Sequence, residues 1–152
     1  MPTLDPGGEY LSRVWRDGVY PLAEQLGVNM KLPPVQPRSR MAHEAAKWAT
    51  TVNHFDDYNE AVFRAFFERG ENIGEANVLV KLAEELRLEA KGLHRALTRH
   101  EFEAQVLTDE RDAAILGVNA VPAFVANRRA ALSGVQSVVA LQALIERARP
   151  AS

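Results

Sequence analysis

The sequence predicts an α/β protein that is mostly helical, with its strands confined to a short stretch near the end. Three observations predict it. Apolar residues recur every three or four positions through most of residues 39–116, the period of helices that bury one face. After Gly117 that period gives way to two short apolar runs, Ala123-Phe124-Val125-Ala126 and Ala130-Ala131-Leu132-Ser133, separated by Asn127-Arg128-Arg129, the spacing of a β-hairpin. Helical spacing then returns on Val138, Val139, Leu141, Leu144 and Ile145.

Taken in order, the first eight residues hold two prolines and two glycines and predict an irregular lead-in. Tyr10, Leu11, Val14 and Trp15, then Tyr20, Leu22, Ala23 and Leu26, predict two short helices broken at Gly18 and Pro21, the second closed by Gly27. Val28–Leu32 alternates apolar and polar, but Pro33, Pro34 and Pro37 interrupt it, so residues 28–38 read as a connector. Ser39 is placed to cap a helix that buries Met41, Ala42, Ala45, Ala46, Trp48, Ala49 and Val52. Asp57 with Glu60 has the form of a capping box ahead of Ala61, Val62, Phe63, Ala65, Phe66 and Phe67, with a stop near Gly70. Trp48, Phe63, Phe66 and Phe67 are the expected aromatic core. Further helices are predicted over about 75–86, 89–98 and 101–116, the last burying Phe102, Val106, Ala113 and Leu116 before Gly117. Ser137 or Gln136 opens the final helix, which ends near Ala148. The chain thus falls into three stretches: 1–38, lead-in, short helices and connector; 39–116, a helical cluster; and 117–149, hairpin and helix.

Composition removes several classes of function. A chain of 152 residues with 47% hydrophobic and 25% charged residues has enough apolar material for a packed core and lacks the signature of disorder. A formal charge of −2 gives no electrostatic case for nucleic acid or an anionic membrane surface. With no cysteine there is no disulfide, no thiolate metal site and no thiol nucleophile. The opening residues lack the basic start and apolar run of a secretory signal, and no stretch reaches the length of a membrane span, so a cytoplasmic location is expected. His43, His54, His94 and His100 have no metal-like spacing, and Lys47 stands where a zinc motif starting at His43-Glu44 needs its second histidine. None of the serines sits in a nucleophile elbow, and there is neither a phosphate loop nor a dinucleotide fingerprint. Neither a metal nor a cofactor is expected.

One local feature stands out. Gly117-Val118-Asn119-Ala120-Val121-Pro122-Ala123-Phe124-Val125 puts a proline at the head of a strand, which on local grounds reads as an ordinary trans edge-strand proline. The wider order is helix, Gly-Val-x-x-Val-Pro, strand, turn, strand, Ser133-Gly134-Val135-Gln136, helix. This resembles the C-terminal part of DsbA-family proteins of the thioredoxin fold, and above all their FrnE-like branch, where the segment reads G-V-x-G-V-P-x-F-V and then S-G-A-Q. Pro37-Arg38-Ser39-Arg40-Met41-Ala42-His43-Glu44-Ala45-Ala46 resembles the start of that branch's helical insertion. Ala61-Val62-Phe63-Arg64-Ala65-Phe66-Phe67 and Asn72-Ile73-Gly74 resemble its F-R-A-Y-F and D-I-G motifs. The resemblance covers about residues 10–148.

The resemblance implies a thioredoxin-like fold of DsbA type in which 39–116 is a large helical insertion and the N-terminal β-α-β unit with its C-x-x-C helix is absent. It implies that Pro122 is the family's cis-proline and that Val121, with Ala120 and Phe124 beside it, offers backbone to an extended peptide or protein substrate. No catalytic residue is expected in this chain. The reading that follows is a thiol–disulfide oxidoreductase family member, truncated and inactive alone, which needs a complementing N-terminal fragment. Two alternatives are a non-catalytic, self-associating module that binds a peptide or partner, and a glutathione-dependent protein like the 2-hydroxychromene-2-carboxylate isomerases. Loss of central strands would leave an open hairpin edge, so a homo-oligomer is also expected.

Overall fold

The computed structural model describes residues 8–150. These form two compact units that divide between Val106 and Leu107.

The first unit opens on one unbroken helical run. It comprises α1 (Glu9–Val14), a π-helical turn (Trp15–Val19) and α2 (Tyr20–Leu26). Two separate helices were expected, with a break at Gly18 and Pro21. The chain instead widens to i→i+5 bonding, and the Tyr20 N–H donates to the Trp15 carbonyl. A proline in a helix lacks a donor and crowds the carbonyl four residues back, and a wider turn eases both faults. Gly27 ends the run at φ 66°, where Val28 N–H bonds the Ala23 carbonyl at 2.8 Å and Gly27 N–H the Glu24 carbonyl at 3.1 Å. This is the glycine-closed C-terminus expected there.

The connector is not a strand, because its donors are used against helices. Lys31 N–H bonds the Phe67 carbonyl at 2.7 Å, and Leu32 N–H bonds the Tyr20 Oη at 3.1 Å. Pro33 is buried, and a Cβ on Gly70, itself at φ 68°, would come 3.0 Å from the Pro34 ring.

Four helices then build the core: α3 (Arg40–Thr51), α4 (Phe55–Phe67), α5 (Ala76–Glu85) and α6 (Ala90–Thr98). Ala45, Trp48, Ala49, Tyr58, Ala65, Leu79, Leu82, Leu93 and Leu97 are all buried in one cluster. Ser39 occupies the cap position of α3 but its hydroxyl makes no capping bond. Helix α4 begins two residues before the expected box. Asp57 therefore lies in its first turn, and Glu60 pairs with Arg64 one turn on, at 2.8 and 3.0 Å, rather than reaching back. The i, i+4 geometry and the guanidinium fork favour that pair.

The aromatic face of α4 is only partly core. Tyr58 is fully buried, its ring edge-on to Trp48 at 6.4 Å, whereas Phe63 is 55% exposed and Phe66 and Phe67 are half-buried. Phe63 stacks on Phe67, which also meets Trp15 of the opening run at 6.3 Å. These rings seat the lead-in on α4 instead of filling the centre.

Helix α7 (Glu103–Ile115) leaves the first unit with Val106 as its one buried residue among those described. It closes at Gly117, φ 75°, with Val118 N–H on the Ala113 carbonyl at 2.9 Å.

The Tyr58 hydroxyl donates to the Leu79 carbonyl at 2.8 Å and so ties α4 to α5. Burial pushes this phenol well above its ordinary value. Folding therefore holds the proton more tightly than the unfolded chain does. The stabilisation is complete below about pH 10, the unfolded phenol's range, and is lost as the pH rises further. Tyr58→Phe should cost about 1 kcal/mol at neutral pH, and denaturant melts between pH 9 and 11 should show a shallower alkaline loss than the parent.

Candidate functional site

The second unit places the proline motif at the mouth of a hairpin. Strands β1 (Ala123–Ala126) and β2 (Ala130–Ser133) are antiparallel, with Ala123 opposite Ser133, Phe124 opposite Leu132, Val125 opposite Ala131 and Ala126 opposite Ala130. Both strands have the expected bounds. The turn holds Asn127 and Arg128 at φ 49° and 55°, the left-handed pair that matches strand twist. Arg129 N–H closes it on the Ala126 carbonyl at 3.0 Å. Helix α8 (Val138–Ala148) covers one face of the hairpin, and the Asn127 amide donates to its Ala148 carbonyl at 2.9 Å. Ser137 Oγ accepts from Ala140 N–H at 3.2 Å, which makes Ser137 the cap that opens the helix.

Between α7 and β1 the chain runs exposed through Asn119, Ala120, Val121 and Pro122, and the Val121–Pro122 peptide is cis. Gly134 N–H donates to the Pro122 carbonyl at 2.8 Å, so the ladder continues one pair beyond β1. Val121 is 88% exposed, and among the described residues neither its N–H nor its carbonyl is hydrogen-bonded. Phe124 is half-buried and paired with Leu132. Of the four expected site residues, Ala120, Val121 and Pro122 thus share one exposed turn, while Phe124 belongs to the hairpin. The Ser-Gly-Val-Gln segment follows β2. Its Gly134 stands at φ 80°, and its Gln136 amide donates to the Ser133 carbonyl at 2.7 Å and the Gly134 carbonyl at 3.3 Å.

Chemically, this turn offers backbone donors and acceptors and apolar surface. The described residues contain no group of three histidine or acidic side chains arranged to hold a metal. His43 and His94 are exposed, and His54 sits 3.5 Å from Asp57 on the surface.

Sequence reasoning missed Glu44. The residue is 2% exposed, its Oε1 lies 3.6 Å from His100 Nδ1, and its Oε2 has no hydrogen-bond partner among the described residues. The signal was present, since Glu44 lies three residues after Met41 and four before Trp48 on the buried stripe of α3. The first unit also carries an open groove of about 520 Å³ with Val28 and Met30 on one side and Phe63 and Phe67 on the other.

The architecture is that of a thioredoxin-like protein of mostly helical type. The family model of the DSBA-like thioredoxin domain matches residues 16–146, and the chain belongs to that family. It is similar to the uncharacterized protein YwbO of Bacillus subtilis (strain 168), with 35% identity over 129 residues that cover 82% of this chain and 62% of that one. The chain therefore spans less than two thirds of that relative's length.

Arg128 carries a side chain where φ is positive, a conformation that costs an L-residue about 1 kcal/mol or more. Its ion pair with Asp112, at 3.6 Å between side chains more than half exposed, offsets little. Arg128→Gly should raise stability by about 0.5–1 kcal/mol in chemical denaturation, an unchanged or lower midpoint being the contrary result.

Proposed function

We propose that this chain is a peptide-binding member of the DsbA family that performs no thiol–disulfide exchange with its own side chains. Zero cysteines rule out its acting as the thiolate nucleophile. The observation that carries the binding half is Val121, which stands fully presented beside a cis bond with both backbone groups unused among the described residues. Exposed, unpaired backbone of this kind binds extended peptides by strand-like pairing, and the neighbouring Ala120, Pro122 and Phe124 supply a small apolar surround. The motifs at Pro37–Ala46 and Ala61–Phe67 support placement in the FrnE-like branch.

An insulin-reduction assay separates catalysis from binding. The purified chain should show no turnover, and any turnover would refute the proposal. For binding, a fluorescein-labelled extended apolar hexapeptide read by anisotropy should bind the parent chain. Pro122→Ala should weaken it about tenfold, equivalent to 1.4 kcal/mol, while the melting temperature changes little. Equal affinity in parent and variant would sink the assignment to this turn.

A further inference from the structure

Helix α4 and its C-cap residue Glu68 carry Glu60, Phe63, Arg64, Phe67 and Glu68 at the three- and four-residue spacings that share one helix face. The core leaves part of that face uncovered. Phe63, more than half exposed, lies nearly parallel to Phe67, with ring planes 10° apart and centroids 6.1 Å apart. Opposite the rings runs the chain from Val28 to Met30, and the two sides bound the open groove of about 520 Å³. Exposed aromatic surface in a concavity of this size is the usual setting of a small-molecule site.

The wall facing the rings is fixed at both ends. Val28 N–H bonds the Ala23 carbonyl at 2.8 Å, and Lys31 N–H bonds the Phe67 carbonyl at 2.7 Å. Met30 is therefore held beside the rings before any ligand arrives, which lowers the ordering cost of binding.

The charges on the groove select the ligand. Two carboxylates, Glu60 and Glu68, stand against one guanidinium, Arg64. Arg64 is committed to Glu60, since its Nε and Nη2 both donate to Oε1, at 3.0 and 2.8 Å. Among the described residues the Glu68 carboxylate has no hydrogen bond and no ion pair, and it feels Arg64 through space. One negative charge is thus left over beside a ring whose face is electron-rich, and both attract a cation. An anion would be repelled by the surplus carboxylate, and a neutral apolar ligand would leave it unused.

We propose that this groove binds a small organic cation with a flat apolar body, its ring laid between Phe63 and Met30 and its positive group beside Glu68. The site is built from residues 27–30 and 60–68 of the first unit. It is independent of peptide binding at Val121.

The test titrates the full chain at pH 7 with 2-naphthylmethylammonium, and with 2-naphthylmethanol and 2-naphthoate as neutral and anionic counterparts of the same shape. Calorimetry gives the affinities and backbone-amide NMR shifts locate the site. The cation should bind with a Kd below ~1 mM, at least about tenfold more tightly than the alcohol, and should shift the amides of 28–30 and 60–68. Glu68→Gln should weaken the cation about fivefold or more and leave the alcohol unchanged. Phe63→Ala should weaken both, and Phe63→Leu, which keeps apolar bulk, should weaken the cation more than the alcohol. No binding of the cation at several times that concentration, equal affinity for cation and alcohol, or shifts confined to residues outside the groove would each overturn the proposal. So would an unaltered preference for the cation in Glu68→Gln, or a dimer in light scattering that Phe63→Ala converts to monomer, since a second copy would then fill the groove.

Discussion

The bond from Gly134 N–H to the Pro122 carbonyl is the constraint on which the second unit turns. Side chains and backbone groups alternate with a period of two along a strand, so a single pairing settles the orientation of every residue on both strands. With 122 and 134 paired, the missing donor of Pro122 falls inside the hairpin, Phe124 is held by Leu132, and Ala123 and Val125 turn their backbone outward. A shift of one residue would put the proline's defect on the outer edge. Gly134 can make the bond because it adopts φ 80°, a conformation glycine reaches without a steric penalty.

The first unit solves a different problem, the seating of a proline-rich connector against helices. Tyr20 and Phe67 do most of this, one through its hydroxyl to Leu32 N–H and the other through its carbonyl to Lys31 N–H. The rings of Trp15, Tyr20 and Phe67 pack around those bonds. The aromatic residues of α4 are consequently divided between two tasks, with Tyr58 in the core and Phe63 and Phe67 toward the lead-in. Glu44 brings a carboxylate into the buried face of α3, with one oxygen 3.6 Å from His100 Nδ1 and the other without a hydrogen-bond partner among the described residues.

Much of this was legible in the chain. The helices at 76–85 and 90–98 and both strands follow from apolar spacing alone, since each buries one face with a regular period. The motif from Gly117 to Val125 led to the family that the comparison establishes. Less legible were features where two local rules compete. Pro21 and Gly18 signal a break, yet packing of Trp15 and Tyr20 keeps the helix whole through a π turn. Asp57 and Glu60 have the spacing of a capping box, yet Glu60 is drawn to Arg64.

By itself, then, the sequence determined the periodic elements, the family and the absence of cysteine from these 152 residues, because those depend on residue identity and spacing along one chain. Only the tertiary structure decided that Phe63 is exposed, that Glu44 is buried and that Ala123 and Val125 turn their backbone groups away from β2. Each of these depends on which surfaces and backbone groups distant segments cover, and coverage is a property of the packed chain that local spacing does not encode.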